Sequence, residues 1–237
     1  MIQSYSIILW KKAEKENKTF AEISKEAYEV LKLFQDYPNM LRPNYLTAKS
    51  KKEIKEFNWN YENFSKELRK GINKDGKMVL EDLGYSVSFF SSMNEQDSCG
   101  FLMHVGNKIE KFYNTIKIEL PLSLNLYSPH TSEMISNLFE RLVQIYMPFF
   151  GCISNRVLAR KYGKYLEGNS PTMINWINYW SEDIIGSVGI ERIQKIVDEY
   201  PEVTFKDGIL QIKNTAINVE IESDMKYYNK LNEQLFI

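Results

Sequence analysis

The acidic side chains Glu95, Asp97, Glu182 and Asp183 are where this chain comes nearest to offering chemistry, with Glu81-Asp82 as a further pair. Two carboxylates can run general acid–base chemistry, as in glycoside hydrolysis, when burial drives their pKa values apart. Acids in polar segments are by default solvated, and a solvated acidic surface attracts a basic protein instead. Glu95, Asp97, Glu182 and Asp183 are therefore taken as partner-binding candidates, with paired-carboxylate hydrolysis as the alternative. No residue is assigned a catalytic role.

Other chemistries find less. His104 and His130 are the chain's 2 histidines, and neither has a second ligand at metal-site spacing. Cys99 precedes His104 by an odd number of positions, which on a strand puts the two side chains on opposite faces. No metal is expected, and no other cofactor. Cys152 sits in Gly151-Cys152-Ile153-Ser154, which lacks the pattern of a nucleophile elbow. Gly76-Lys77 is followed by Met78, where a phosphate loop needs Ser or Thr to hold magnesium.

The densest aromatic stretch is Met173–Ser181, which places Trp176, Tyr179 and Trp180 within five positions, just ahead of Glu182-Asp183. Such a surface either fills a core or anchors a partner, Trp and Tyr being the residues that dominate interface hot spots. The residue types leave both uses open. Stacking on bases is a third, with the lysines at 49, 51, 52 and 55 as the phosphate contacts. Glu53 and Glu56 dilute that field, and a solvated connection is the simpler reading of 47–60.

The whole-chain balance, 30 Lys and Arg against 31 Asp and Glu, lacks the basic excess of a nucleic-acid binder. The excess is local: basic in residues 1–77, acidic beyond. With 237 residues, 43% hydrophobic and 14% aromatic, the chain can fill a sizeable core and does not read as disordered. Its 2 cysteines make no disulfide framework, which fits a reducing compartment. The start reads as no signal peptide, and no window is apolar enough for a membrane span. Cytoplasmic location is expected, with no membrane and no nucleic acid among the partners.

The elements that must position these residues follow from periodicity. Tyr5, Ile7 and Leu9 alternate as a strand, and Lys11–Lys18 reads as a charged turn. Thr19 with Glu22 makes a capping box for a helix burying Phe20, Ile23, Ala27, Val30, Leu31 and Phe34. A helix over 61–70 stops at Gly71. Strands are predicted at 85–90, 100–105 and 115–120, as a meander with one wet face. A helix from Pro129 to Pro148 carries Met134, Ile135, Leu138, Leu142 and Ile145 inward. A short strand follows at 151–154, and 161–171 reads as a mobile loop. A helix over 188–199 buries Ile190, Ile193, Ile196 and Val197. Asp207-Gly208 predicts a type I′ hairpin with Phe205 opposite Leu210 and Val203 opposite Ile212. A last helix spans 224–236, with Met225, Tyr228, Leu231 and Leu235 inward. This order predicts an α+β fold: antiparallel sheet with helices packed on one face, in a single domain over 1–237 that has room for two loosely similar halves.

With those segments in place, the chain resembles the bacterial immunity protein 52 family, whose members neutralise polymorphic or secreted toxins. The landmarks are Tyr5-Ser6-Ile7-Ile8-Leu9-Trp10, Leu83-Gly84-Tyr85-Ser86-Val87-Ser88 and Asn114-Thr115-Ile116-Lys117-Ile118-Glu119-Leu120-Pro121. Tyr146-Met147-Pro148 stands where the family often has Trp-Asp-Pro. Asn175-Trp176-Ile177-Asn178-Tyr179-Trp180-Ser181 is similar to its Gly-Trp-X-X-Tyr-Leu-Ser block, with Asn175 for Gly and Trp180 for Leu. Asp207-Gly208-Ile209-Leu210 matches its late hairpin. Type VI secretion immunity proteins share the general order and are the near alternative. The resemblance carries no catalytic residues. It implies stoichiometric binding of a cognate secreted toxin domain.

Overall fold

The computed structural model describes residues 3–14 and 18–236. The first element is β1 (Tyr5–Lys11). The charged turn expected after it falls partly on 15–17, outside the described residues. Its flanks are tied down, since Lys11 and Lys18 both reach the Glu26 carboxylate, at 3.3 and 2.8 Å.

Helix α1 (Phe20–Lys32) starts on the predicted capping box: Thr19 N–H donates to Glu22 Oε2 at 2.7 Å and Glu22 N–H donates to Thr19 Oγ1 at 3.4 Å. Its buried face is Ile23, Ala27, Val30 and Leu31, extended by Phe34 in the 3₁₀ turn that follows. Phe20 stays half-exposed under the Arg69 guanidinium, 4.0 Å from its ring centre. A short edge strand, β2 (Tyr45–Leu46), precedes α2 (Tyr61–Lys70). Asn60 caps α2 by accepting from Asn63 N–H at 2.8 Å. Gly71 ends it because any Cβ there would lie 1.7 Å from the Ser86 carbonyl oxygen. The hairpin β3 (Lys74–Asp75) and β4 (Met78–Val79) leads into the meander β5 (Tyr85–Phe90), β6 (Gly100–Val105) and β7 (Asn114–Glu119).

Helix α3 (Pro129–Tyr146) is followed by β8 (Phe150–Asn155) and α4 (Arg156–Tyr162). The segment expected to be a mobile loop holds the small hairpin β9 (Leu166–Glu167) and β10 (Ser170–Pro171). Then come β11 (Ile177–Trp180), α5 (Glu182–Val188), α6 (Ile190–Glu199), β12 (Thr204–Lys206), β13 (Ile209–Gln211) and α7 (Glu222–Phe236). The fold is α+β with antiparallel sheet, as the periodicity predicts.

Two helix faces differ from expectation. On α3, Met134 is half-exposed and Ile145 exposed, while Phe139, Val143 and Tyr146 join Ile135, Leu138 and Leu142 in the core. The predicted helix at 188–199 is two helices. Gly189 breaks it at φ 94°, and Ile190 is exposed rather than buried. Ile193 and Ile196 keep their predicted inward positions.

The contacts divide the chain into two compact units. The first comprises Leu9–Ser123 with Gln144–Met147. Its sheet runs β7-β6-β5-β2, with the Leu9–Lys11 end of β1 beside β7. Register pairs Val87 with Met103, Phe89 with Phe101 and Met103 with Ile116, so these side chains share the inner face. Helices α1 and α2 cover it: Phe34 meets Phe101 edge-on at 4.9 Å, and Phe64 lies 6.2 Å from Phe89. Phe57 and Trp59, from the stretch expected to be a solvated connection, pack on the same Phe89 ring at 5.1 and 5.0 Å. The outer face carries Ser86, Ser88, Leu102, His104, Thr115, Lys117 and Glu119, which is the predicted wet side.

The second unit comprises Met1–Ile8, Leu124–Val143 and Pro148–Ile237. Its strands run β12-β13-β11-β8, followed by the first half of β1. The Asp207-Gly208 hairpin has the predicted register, Phe205 opposite Leu210 and Thr204 opposite Gln211. Both turn residues take positive φ, 51° and 78°. Trp176 and Trp180 are core residues, Trp180 lying edge-on to Phe236 of α7 at 6.4 Å, whereas Tyr179 is half-buried. A buried amide network joins β11 to α7. Asn232 accepts from Ile174 N–H at 2.8 Å, and Asn178 bridges the backbone of Asn175 and Leu210. Gln3 is a second hub. It donates to Asn218 at 2.7 Å and accepts from Tyr127 at 2.7 Å and from Val219 N–H at 3.3 Å.

Candidate functional site

The four partner-binding candidates divide between the two units. Glu95 and Asp97 form a 3₁₀ turn (Glu95–Asp97) between β5 and β6 of the first unit. Asn94 builds that turn by accepting from Gln96 N–H at 3.2 Å and donating to Asp97 Oδ2 at 2.6 Å. The turn is also pinned to the segment after β7, since Ser123 N–H donates to the Gln96 carbonyl at 3.0 Å. Glu95 is exposed and Asp97 half-buried.

Glu182 and Asp183 open α5 in the second unit, both exposed. A helix N-terminus favours carboxylates, because its unpaired N–H groups carry partial positive charge. The aromatic segment's contribution here is Tyr179. Burial first, and the Glu182 charge second, push its phenol above the ordinary tyrosine range.

Carboxylate chemistry needs more than proximity. Glu81, Asp82, Glu95, Glu182 and Asp183 are exposed, and Asp97 is half-buried. Of the three aromatic candidates, Trp176 and Trp180 are buried and Tyr179 is half-buried.

His104 stands on the outer face of β6, with its Nδ1 2.8 Å from Ser86 Oγ. Partial burial lowers its pKa. His130 is an exposed residue in the first turn of α3. Cys99 and Cys152 are free and fully buried, and burial raises both thiols well above their usual range, as for small core side chains. Among the described residues no three His, Cys, Asp or Glu side chains group as a metal site. Among those residues no helix is long and apolar enough to cross a membrane.

The first unit also exposes apolar side chains near its acidic candidates. At the Glu95–Asp97 end of the meander, Leu102 is 50% exposed on the outer sheet face. Met93, 53% exposed, and Leu122, 36% exposed, lie on the two segments that the Ser123–Gln96 bond joins. Glu119, on the same face as Leu102, pairs with Lys117 at 2.6 Å. In protein recognition, exposed apolar side chains supply contact and carboxylates supply selectivity. Leu102 was not among the sequence candidates, and its exposure follows from its odd phase within β6. The alternation of Phe101, Met103 and Val105 was the available signal.

No protein-family model matches the chain. No curated protein matches it. Among solved structures the chain is similar to the Pseudomonas aeruginosa T6SS protein PA0821, with a TM-score of 0.61 and 9% identity, covering 98% of this chain and 73% of that one. At that identity the likeness is one of fold.

Proposed function

We propose that this chain is a bacterial immunity protein that binds one cognate toxin domain and neutralises it by stoichiometric occlusion. The observation that carries the reading is the fold likeness, over nearly the whole chain, to a protein named for the T6SS. Type VI secretion immunity proteins are one of the two groups whose landmark order this sequence resembles, and the immunity protein 52 family is the other. The exposed positions of Glu95, Glu182 and Asp183 agree with a binding role. The protein acts in the cytoplasm, without cofactor, by covering the toxin's working surface.

Co-expression with the toxin encoded by the neighbouring gene tests this. The expected outcome is rescue of growth and a stable complex of one copy of each chain by size-exclusion chromatography with light scattering. Undiminished toxicity and no complex would reject the reading.

A further inference from the structure

Gly100 stands at the start of β6 directly opposite Phe90 on one side and Glu119 on the other. Cross-strand partners share a face, and so does the residue two positions on, Leu102. The fold gives no reason for a glycine here. The backbone is not left-handed, and a Cβ added at Gly100 would meet only Glu119, at an ordinary 3.5 Å from Oε2 and 3.6 Å from Cβ. A glycine inside a strand weakens it, and one use of such a position is to let another molecule approach closely.

The missing side chain leaves a notch in the outer face. Phe90, opposite, and Leu102, two positions on, flank it on the same face, and Phe90 stacks on Tyr45 at 5.2 Å and 23°. Glu119 closes the third side. Its Oε1 pairs with Lys117, while Oε2 is the oxygen beside Gly100. That ion pair is exposed, so it contributes little and does not hold the carboxylate back from a better partner. An apolar trough ending in a carboxylate matches a long basic side chain: methylenes lie along the walls and the guanidinium takes the oxygens in a two-pronged bond. Glu95 and Asp97 at the same end of the meander add negative potential.

We infer that the notch over Gly100 is where an arginine from a basic surface of the partner protein docks on this chain. This rests on the immunity reading and names the point of contact within it. The charge sign follows from Glu119, Glu95 and Asp97, and the shape from the trough.

The test uses the full chain and the purified product of the neighbouring toxin gene, inactivated at its own active site, with affinity followed by biolayer interferometry. Gly100→Val fills the notch with a residue that strands favour, so its melting temperature should be unchanged or higher. Its Kd should nonetheless rise about tenfold or more. Glu119→Gln keeps the shape, removes the charge, and should weaken binding by a similar factor. The double variant should be little worse than either single one, because both act on one docked side chain. If the wild-type chain binds and both variants bind equally well, the notch is not the contact point and this inference alone fails. If the wild-type chain does not bind, the immunity reading fails and takes the inference with it. Self-association of the wild-type chain that Gly100→Val abolishes would also overturn it, by assigning the notch to a second copy.

Discussion

Trp176 and Tyr5 meet edge to face, ring centroids 6.2 Å apart and planes at 78°, although 171 positions separate them in sequence. The indole N–H donates to the Lys213 carbonyl at 2.9 Å, and the Tyr5 hydroxyl donates to the Ile217 carbonyl. Both rings are buried with their polar tips satisfied, which is how large aromatics are accommodated in a core. Trp176→Ala should therefore lower unfolding free energy by about 3–5 kcal/mol in urea titration. A loss of toxin binding with unchanged stability would show instead that the indole belongs to an interface.

The late hairpin makes a sharper demand. Gly208 has φ 78°, and a Cβ there would come 2.6 Å from the Trp180 carbonyl oxygen. Gly208→Ala should cost about 1–3 kcal/mol from backbone strain, with the clash against Trp180 as an additional penalty. Asp207→Asn should be close to neutral, since Asn also accepts positive φ. Urea midpoints of the two variants check the contrast.

Charge reversal separates recognition from folding. Glu95→Lys with Asp97→Lys, and Glu182→Lys with Asp183→Lys, should each leave the chain folded while lowering the thermal midpoint modestly, through the lost Asn94–Asp97 bond and the unfavourable charge at the α5 N-terminus. The pair that faces the partner should slow association by about tenfold at low salt and hardly at all at high salt. Stopped-flow association rates would reveal which pair it is, and equal rates for all variants would discard these positions.

Stability should fall steeply above about pH 10. Burial raises the phenols of Tyr5, Tyr146 and Tyr228, and holds Tyr227 at about 12, against an ordinary value of 10.0. The folded state keeps these protons longer than the unfolded chain does. Their contribution is therefore complete below pH 10 and is lost as pH rises toward the folded values. Chemical denaturation between pH 8 and 11.5, with phenolate absorbance as a second probe, measures this. A flat profile to pH 11.5 would contradict it.

Local signals were legible in the sequence wherever one or two residues decide a conformation. Thr19 with Glu22, Gly71, and Asp207-Gly208 each marked a boundary that the structure keeps. Helix phase was less legible. On α3 apolar residues stand on more than one face, so Ile145 competed with Phe139 and Val143 for the inward face, and packing decided it. Helix α4 went unread because it is short and has few apolar residues to set a period. Asn155, which accepts from Val157 N–H at 2.8 Å, and Gly163 were the cap signals at its two ends. The candidate site was legible as charge at Glu95 and Asp97, but not as shape. The Gly100 notch exists only because register sets Phe90 and Glu119 on either side of it, and register is not written in any one strand.

The Gln3 hub has a consequence for biosynthesis. Its amide bonds to Asn218, 215 residues away. At roughly 5–20 residues per second, a ribosome needs on the order of 10 to 40 s to travel between them. For that interval the Gln3 side chain lacks its Asn218 and Val219 partners. The second unit therefore cannot complete its contacts until the chain has passed Asn218, and a product stalled or clipped ahead of Lys213 would leave the Trp176 indole without the carbonyl that receives its N–H.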